Sequence, residues 1–291
     1  NVAVVFVEQW AAESFDSPHL TLPGNQDALV AAVARANPHT IVVLENNGPV
    51  AMPWLDQVGA VLEAWYPGAS GGEAIARLLY GEVDPAGRLP VTWPRDESQL
   101  PRAQIPGAGL AAIGLPPQGQ PAEQVDYNIE GSDVGYRWYQ REGFKPLFPF
   151  GYGLSYTRFS YSGFASHLDH GRVEASFTVT NQGTRGGVDV PQLYVTLPGN
   201  GQVRRLAGWC RIDLKPGQSA QLTLAADPRL LVTFDGARQQ WQRPSGTYLL
   251  QLGHSATSFQ GQGQVTLAAA NWPAMAAPEG PTQPCSTARE R

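Results

Sequence analysis

Glu13 stands in the run Ala12-Glu13-Ser14-Phe15-Asp16, shortly after the apolar, β-branched run Val2 to Val7 (VAVVFV). A carboxyl leaving the end of a buried strand, beside Trp10 and Phe15, is open to desolvation. Desolvation raises a carboxyl pKa and suits it to general acid work. On local sequence alone, Glu13 reads as an ordinary loop carboxylate. Trp10 could stack on a pyranose ring or pack against neighbours, and both readings stay open. His19, after Asp16-Ser17-Pro18, reads as a surface imidazole. Gly68 to Gly72 (GASGG) precedes a helical stretch and could cradle an anion, but it matches no phosphate loop and reads better as a tight turn. His167, Asp169 and His170 have ligand-type chemistry, yet they sit where a hairpin turn is expected. Trp54, Trp65 and Tyr66 lie in apolar context and read as core.

These residues belong to a chain of 291 amino acids, long enough for one large or two ordinary domains. Charged residues are only 15 %, and 32 Gly with 25 Pro make it rich in turns. Twenty Lys and Arg against 25 Asp and Glu leave a net charge of −5. That gives no basic field for phosphate backbones or anionic lipid, so no nucleic-acid and no membrane partner is expected. No apolar run reaches the roughly 18 residues of a membrane span. Cys210 and Cys285 occur without a CxxC or Cys/His cluster, which argues against a thiol redox motif or structural zinc. One disulfide between them stays open.

Positioning elements follow from periodicity. Val2 to Val7 is nearly continuous in β-branched residues and reads as a strand buried on both faces. Such an opening, with no cap or turn before it, leads to the expectation of a fragment, or of one part of a cleaved or two-chain molecule. Asn25 to Asn37 carries a helical stripe of Leu29, Val30 and Val33, ended by Pro38. Further apolar runs, Thr40 to Leu44 and Val58 to Leu62, precede a helical Glu73 to Tyr80. This predicts β-α-β-α-β alternation and a parallel sheet, with ligands outside its carboxyl ends, just after Val7 and Leu44. A Pro- and Gly-rich connector follows, then an aromatic segment from Val125 to Tyr156 that reads as packing between domains. Beyond Phe159, Val173 to Thr180, Val190 to Leu197, Ala220 to Ala225 and Thr247 to Leu252 alternate as short strands of an antiparallel β-sandwich. The end, from Asn271, is a mobile tail or a strap laid on another surface.

The run from Val2 to Pro94, with VAVVFV, Glu13 to Asp16, LTLPGNQDALV, NPHTIVVLENNGPVAMPWL and AVLEAWYPGASGGEAIARLLYGEVDPAGRLPVTWP, resembles the C-terminal α/β sandwich domain of glycoside hydrolase family 3. EGSDVGYRWY with PLFPFGYGLSYTRFSYS resembles that family's junction. VPQLYVTLP, RRLAGWCRIDLKPGQSAQLTL and GTYLLQLG resemble its fibronectin type III-like domain. The resemblance implies an incomplete α/β sandwich, with a mostly parallel sheet and helices on both faces, followed by an antiparallel β-sandwich of fibronectin type III-like type. It divides the chain into an α/β part at 1–97, a connector and junction at 98–158, the β-sandwich at 159–270 and a tail at 271–291.

Family members most often hydrolyse terminal β-glucosides with retention, through two carboxylates. The resemblance implies that Glu13 is the general acid/base, matching the Glu of a Glu-Gly-x-Asp-Arg motif, and that Asp16 matches its Asp. Ser14 and Ser17 depart from the usual Gly and Arg. Trp10, Phe15 and Asp16 are the expected substrate-side neighbours. The nucleophilic Asp would lie in a TIM-like barrel, for which roughly 200 residues or more would be needed, so the expected partners are that N-terminal barrel segment or chain and a β-glucoside or oligosaccharide. Also expected to precede Val2 is the first part of the sandwich domain. The chemistry requires no metal or organic cofactor. By itself the chain is expected to be incomplete and inactive, and its compartment is expected to be periplasmic or secreted. A non-catalytic carbohydrate-binding or scaffold chain is the alternative.

Overall fold

The computed structural model describes residues 1–11, 17, 19–102, 126–199, 201–280 and 285–287. They form two compact units. The first comprises Asn1–Glu82, Thr92–Val134 and Phe144–Phe148; the second comprises Val83–Val91, Gly135–Gly143 and Pro149–Arg291.

In the first unit, β1 (Ala3–Glu8), β2 (Thr40–Glu45) and β3 (Ala60–Glu63) form a parallel sheet in that order. Val5 lies opposite Val42, and Val43 opposite Leu62. Helix α1 (Gln26–Ala36) follows β1, and α2 (Gly71–Leu79) follows β3. Helix α1 buries Val30 and Ala34, while Leu29, expected in its stripe, is 51 % exposed. It ends where Asn37 N–H bonds the Val33 carbonyl, because Pro38 disfavours a helical residue before it.

Two expectations are corrected here. Between β2 and β3 there is a single 3₁₀ turn, Leu55–Gln57, instead of an α-helix. The Asn46-Asn47-Gly48-Pro49 break leaves too short an uninterrupted stretch for one, and Trp54 fills the space instead. Its indole N–H donates to Asp27 Oδ1 at 2.7 Å. The second correction concerns β1, which is buried on one face only. Val5 and Val7 point inward, whereas Val2, Val4 and Phe6 are 61 %, 41 % and 52 % exposed. Among the described residues β1 is an edge strand, so composition that suits a central strand sits at a margin.

The second unit is the β-sandwich. Its strands are β4 (Phe159–Asp169), β5 (Arg172–Asn181), β6 (Gly187–Asp189), β7 (Gln192–Thr196), β8 (Arg205–Trp209), β9 (Ile212–Leu214) and β10 (Ser219–Ala225). They continue with β11 (Thr233–Asp235), β12 (Gln240–Arg243), β13 (Gly246–Ser255), β14 (Ser258–Leu267), β15 (Ala270–Pro273) and β16 (Cys285–Thr287). One sheet runs β16-β10-β5-β4 and the other β14-β13-β7-β8, all antiparallel. Alternation places Val173, Ala175, Phe177 and Val179 of β5 in one core with Leu193 and Val195 of β7 and Tyr248, Leu250 and Leu252 of β13. His170 occupies the β4–β5 turn with φ 47°, as a tight hairpin requires, and His167 pairs with Glu174 across it. Among the described residues no group of three His, Cys, Asp or Glu is placed to hold a metal ion.

The tail is a strap on its own unit. Strand β15 pairs with β12, and β16 pairs with β10. Cys285 is bonded to Cys210, with Cα atoms 5.7 Å apart. The aromatic segment adds α3 (Tyr136–Glu142) to this unit, where the Tyr136 hydroxyl accepts from Leu206 N–H at 2.8 Å and its ring meets Phe150 and Tyr194. Asp189, 1 % exposed, is held by Arg88 Nη2 at 3.2 Å and the Tyr161 hydroxyl at 2.7 Å.

Candidate functional site

Each parallel strand of the first unit ends in a carboxylate residue: Glu8, Glu45 and Glu63. Glu8 lies directly opposite Glu45, and Leu44 opposite Glu63. At these carboxyl ends opens a cavity of about 310 Å³, lined by Glu8 at the end of β1 with Gln9 and Trp10 after it, Glu45 at the end of β2, and Tyr66, Pro67 and Gly68 after β3. Ligands of parallel sheets bind at this end because the loops there converge above the strands. The two positions expected from sequence, just after Val7 and Leu44, both contribute walls.

Trp10 is placed at this rim and is 69 % exposed. Glu13, Phe15 and Asp16 lie outside the described residues. Their chain departs from a fixed stem. Gln9, 8 % exposed, continues the ladder by donating its N–H to the Glu45 carbonyl at 3.1 Å. Its own carbonyl accepts from the Tyr66 hydroxyl at 2.7 Å. The Gln26 side chain brackets Glu8 from both sides, accepting from its N–H at 2.7 Å and donating to its carbonyl at 2.8 Å.

Tyr66 therefore departs from the core role expected of it: it is 53 % exposed and its hydroxyl is engaged. Trp54, by contrast, is buried as expected. Within the glycine run, Gly71 is required sterically, since a Cβ there would stand 2.6 Å from Pro67 Cγ, and Gly68 takes φ 71°. Close approach of turn and helix requires glycine; no anion is needed to account for it.

Glu63 is the residue sequence reasoning missed. Its Oε1 accepts from Trp65 N–H at 2.8 Å, and its Oε2 is buried with no hydrogen-bond partner among the described residues. Burial disfavours the charged form more than the Trp65 amide favours it, and the carboxyl is pushed up to about 8. Trp65 adopts φ 53° and its ring lies 6.2 Å from that of Trp93. The signal was available: Glu63 closes the third apolar run as Glu8 and Glu45 close the first two.

Residues 1–156 match the Glycosyl hydrolase family 3 C-terminal domain, more than half of the chain. The chain belongs to glycosyl hydrolase family 3. Residues 189–256 of this family 3 chain match a fibronectin type III-like domain. It is similar to β-glucosidase B of Emericella nidulans, 40 % identical over 286 residues, covering 94 % of this chain and 33 % of that protein. Thermostable β-glucosidase B of Acetivibrio thermocellus is 37 % identical, with 88 % and 34 % covered. Among solved structures, DesR, a β-glucosidase from Streptomyces venezuelae in complex with D-glucose, superposes with a TM-score of 0.83 at 39 % identity, covering 92 % of this chain and 34 % of DesR. β-Glucosidase 3B from Thermotoga neapolitana, with glucose, gives 0.82 at 29 % identity, covering 94 % and 38 %. The family 3 chain thus spans about a third of the length of these relatives.

Proposed function

We propose that this chain supplies the general acid/base of a retaining β-glucosidase acting on terminal non-reducing β-glucosyl residues of cello-oligosaccharides or related β-glucosides, joined to a barrel segment that carries the nucleophilic Asp. The observation that carries the reading is the cavity at the carboxyl ends of β1–β3, with Trp10 on its rim and the stem of the Glu13 segment in its wall. The β-glucosidase relatives support the same substrate class.

In the first step the Asp carboxylate attacks the anomeric carbon while Glu13 gives its proton to the leaving glycosidic oxygen. The C–O bond breaks, the aglycone leaves as an alcohol, and a covalent glucosyl-enzyme remains. Glu13, now ionised, takes a proton from water, whose oxygen displaces the Asp and restores the configuration. Such chemistry asks for two carboxyls about 5–5.5 Å apart, on either side of the bond. Phe15 and Asp16, beside the acid, are assigned to the substrate side together with Trp10. A periplasmic or secreted location is part of the proposal, and the Cys210–Cys285 disulfide supports it, because such bonds persist in oxidising compartments.

The second reading, a non-catalytic carbohydrate-binding or scaffold chain, is favoured by Ser14 and Ser17 where Gly and Arg are usual. The two separate on Glu13→Ala in the assembly with the barrel segment. An acid/base loss slows aryl glucosides with poor leaving groups far more than those with good ones. Azide then restores turnover of the good ones by trapping the glucosyl-enzyme as glucosyl azide. Unchanged rates without azide rescue would leave the scaffold reading standing.

A further inference from the structure

A general acid works only within hydrogen-bond reach of the oxygen it protonates, and a displacement of 1 Å costs about 100-fold. The ends of the segment carrying Glu13 therefore matter as much as the carboxyl. We propose that Tyr66 and Glu97 are positioning residues that clamp the two ends of this segment; the inference rests on the acid/base reading of Glu13.

At the first end the Tyr66 hydroxyl holds the Gln9 carbonyl at 2.7 Å from 57 positions away in sequence. The ring is half in solvent, so core filling does not account for a tyrosine here. Its approach is set by Trp65, whose left-handed backbone is braced by Glu63 Oε1 and by the Trp93 ring. At the second end Glu97 Oε1 accepts from Leu20 N–H at 3.0 Å, from 77 positions away, and stands 3.3 Å from His19 Nδ1. The Leu20 carbonyl is in turn taken by Ala51 N–H at 2.6 Å.

Glu97 is itself aimed. It opens a 3₁₀ turn, Glu97–Gln99, whose cap Asp96 accepts from Ser98 N–H. Gln99 ties that turn down, donating to the Lys145 carbonyl at 3.0 Å and accepting from Arg95 N–H at 2.9 Å. Two distant elements thus converge on residues 9 and 20, with Glu13 between them. Both contacts are on described residues that flank Glu13 in sequence, Gln9 on one side and Leu20 on the other. Neither side chain touches the reacting atoms.

The test uses the chain joined to its barrel segment, with Tyr66→Phe, Glu97→Ala and Glu97→Gln beside Glu13→Ala. Turnover is measured on aryl β-glucosides of poor and good leaving groups, with thermal unfolding of each variant as a check on folding. Tyr66→Phe and Glu97→Ala are expected to lower kcat/KM about 10- to 100-fold for poor leaving groups and under about threefold for good ones. Glu97→Gln keeps an oxygen for Leu20 N–H and is expected to stay within about threefold of the parent on both. Equal losses on both substrate types, no loss at all, or a Glu97→Gln as impaired as Glu97→Ala would overturn the clamp. Should Glu97→Ala fail to fold, Tyr66→Phe, which removes one oxygen, still decides. If Glu13→Ala gives the leaving-group dependence and the clamp variants do not, the clamp alone falls. If Glu13→Ala gives none, the acid/base reading falls and the clamp with it.

Discussion

At Glu63 the folded protein retains a proton that the unfolded chain gives up near pH 4.5, because burial outweighs the single hydrogen bond from Trp65. Between about 4.5 and about 8 the folded state binds more protons, so this group makes stability fall as pH rises through that window, with the loss complete above about 8. Glu63→Gln keeps an oxygen for the Trp65 amide and carries no charge at any pH. Urea unfolding should find the variant more stable than the parent at pH 8 and little changed at pH 4.5. Equal differences at the two pH values would sink the assignment. A second residue-scale expectation concerns Gly71. Gly71→Ala forces its Cβ against Pro67 and should cost about 1–3 kcal/mol in the same measurement, with the turn into α2 displaced.

Among elements, β16 pairs with β10 through Leu222 to Leu224 among the described residues. The Cys210–Cys285 bond closes a 75-residue separation and ties this strand to the sandwich covalently. Cys210→Ser or Cys285→Ser should each lower unfolding free energy by about 2–5 kcal/mol, and the double variant by no more than either. Reduction of the parent should reproduce the change. Asp189 is the sandwich's buried charge. Burial works against its ionisation, but hydrogen bonds from His254 and Tyr161 outweigh it and hold the carboxyl below its ordinary range. Removing Arg88, 10 % exposed, takes away this carboxylate's ion-pair partner and leaves it to Tyr161 and His254. Arg88→Met should cost about 3 kcal/mol, and adding Asp189→Leu should recover part of it, as a buried pair replaced on both sides often does.

For the molecule as a whole, the proposed chemistry divides two carboxyls between this chain and a barrel segment. The chain by itself is expected to give no turnover of aryl β-glucosides, and turnover should appear with the barrel segment joined to it. Hydrolysis by the isolated chain that survives Glu13→Ala would refute the division.

Periodicity was enough to identify part of the elements. Thr40 to Leu44 and the alternating run Val173 to Thr180 appear as β2 and β5 because burial is written locally, one side chain at a time. The same local rule located the carboxyl ends of the sheet, hence the residues after Val7 and Leu44 that line the cavity. What covers a face or accepts a proton is decided elsewhere in the chain, and there the reading stopped. Val4 and Phe6 have core composition but lie at an edge strand of the described residues. Tyr66 stands in apolar sequence context, yet its hydroxyl bonds Gln9, 57 positions away. Nothing near Cys210 names Cys285, and nothing near Leu20 names Glu97. Residue types and their spacing determined the two architectures, and the resemblance they carry to family 3 is what names Glu13 as the candidate acid. Tertiary structure alone decided the strap, the unpartnered oxygen of Glu63 and the anchors of the Glu13 segment, because each depends on contacts between residues far apart in sequence, whose pairing no local pattern encodes.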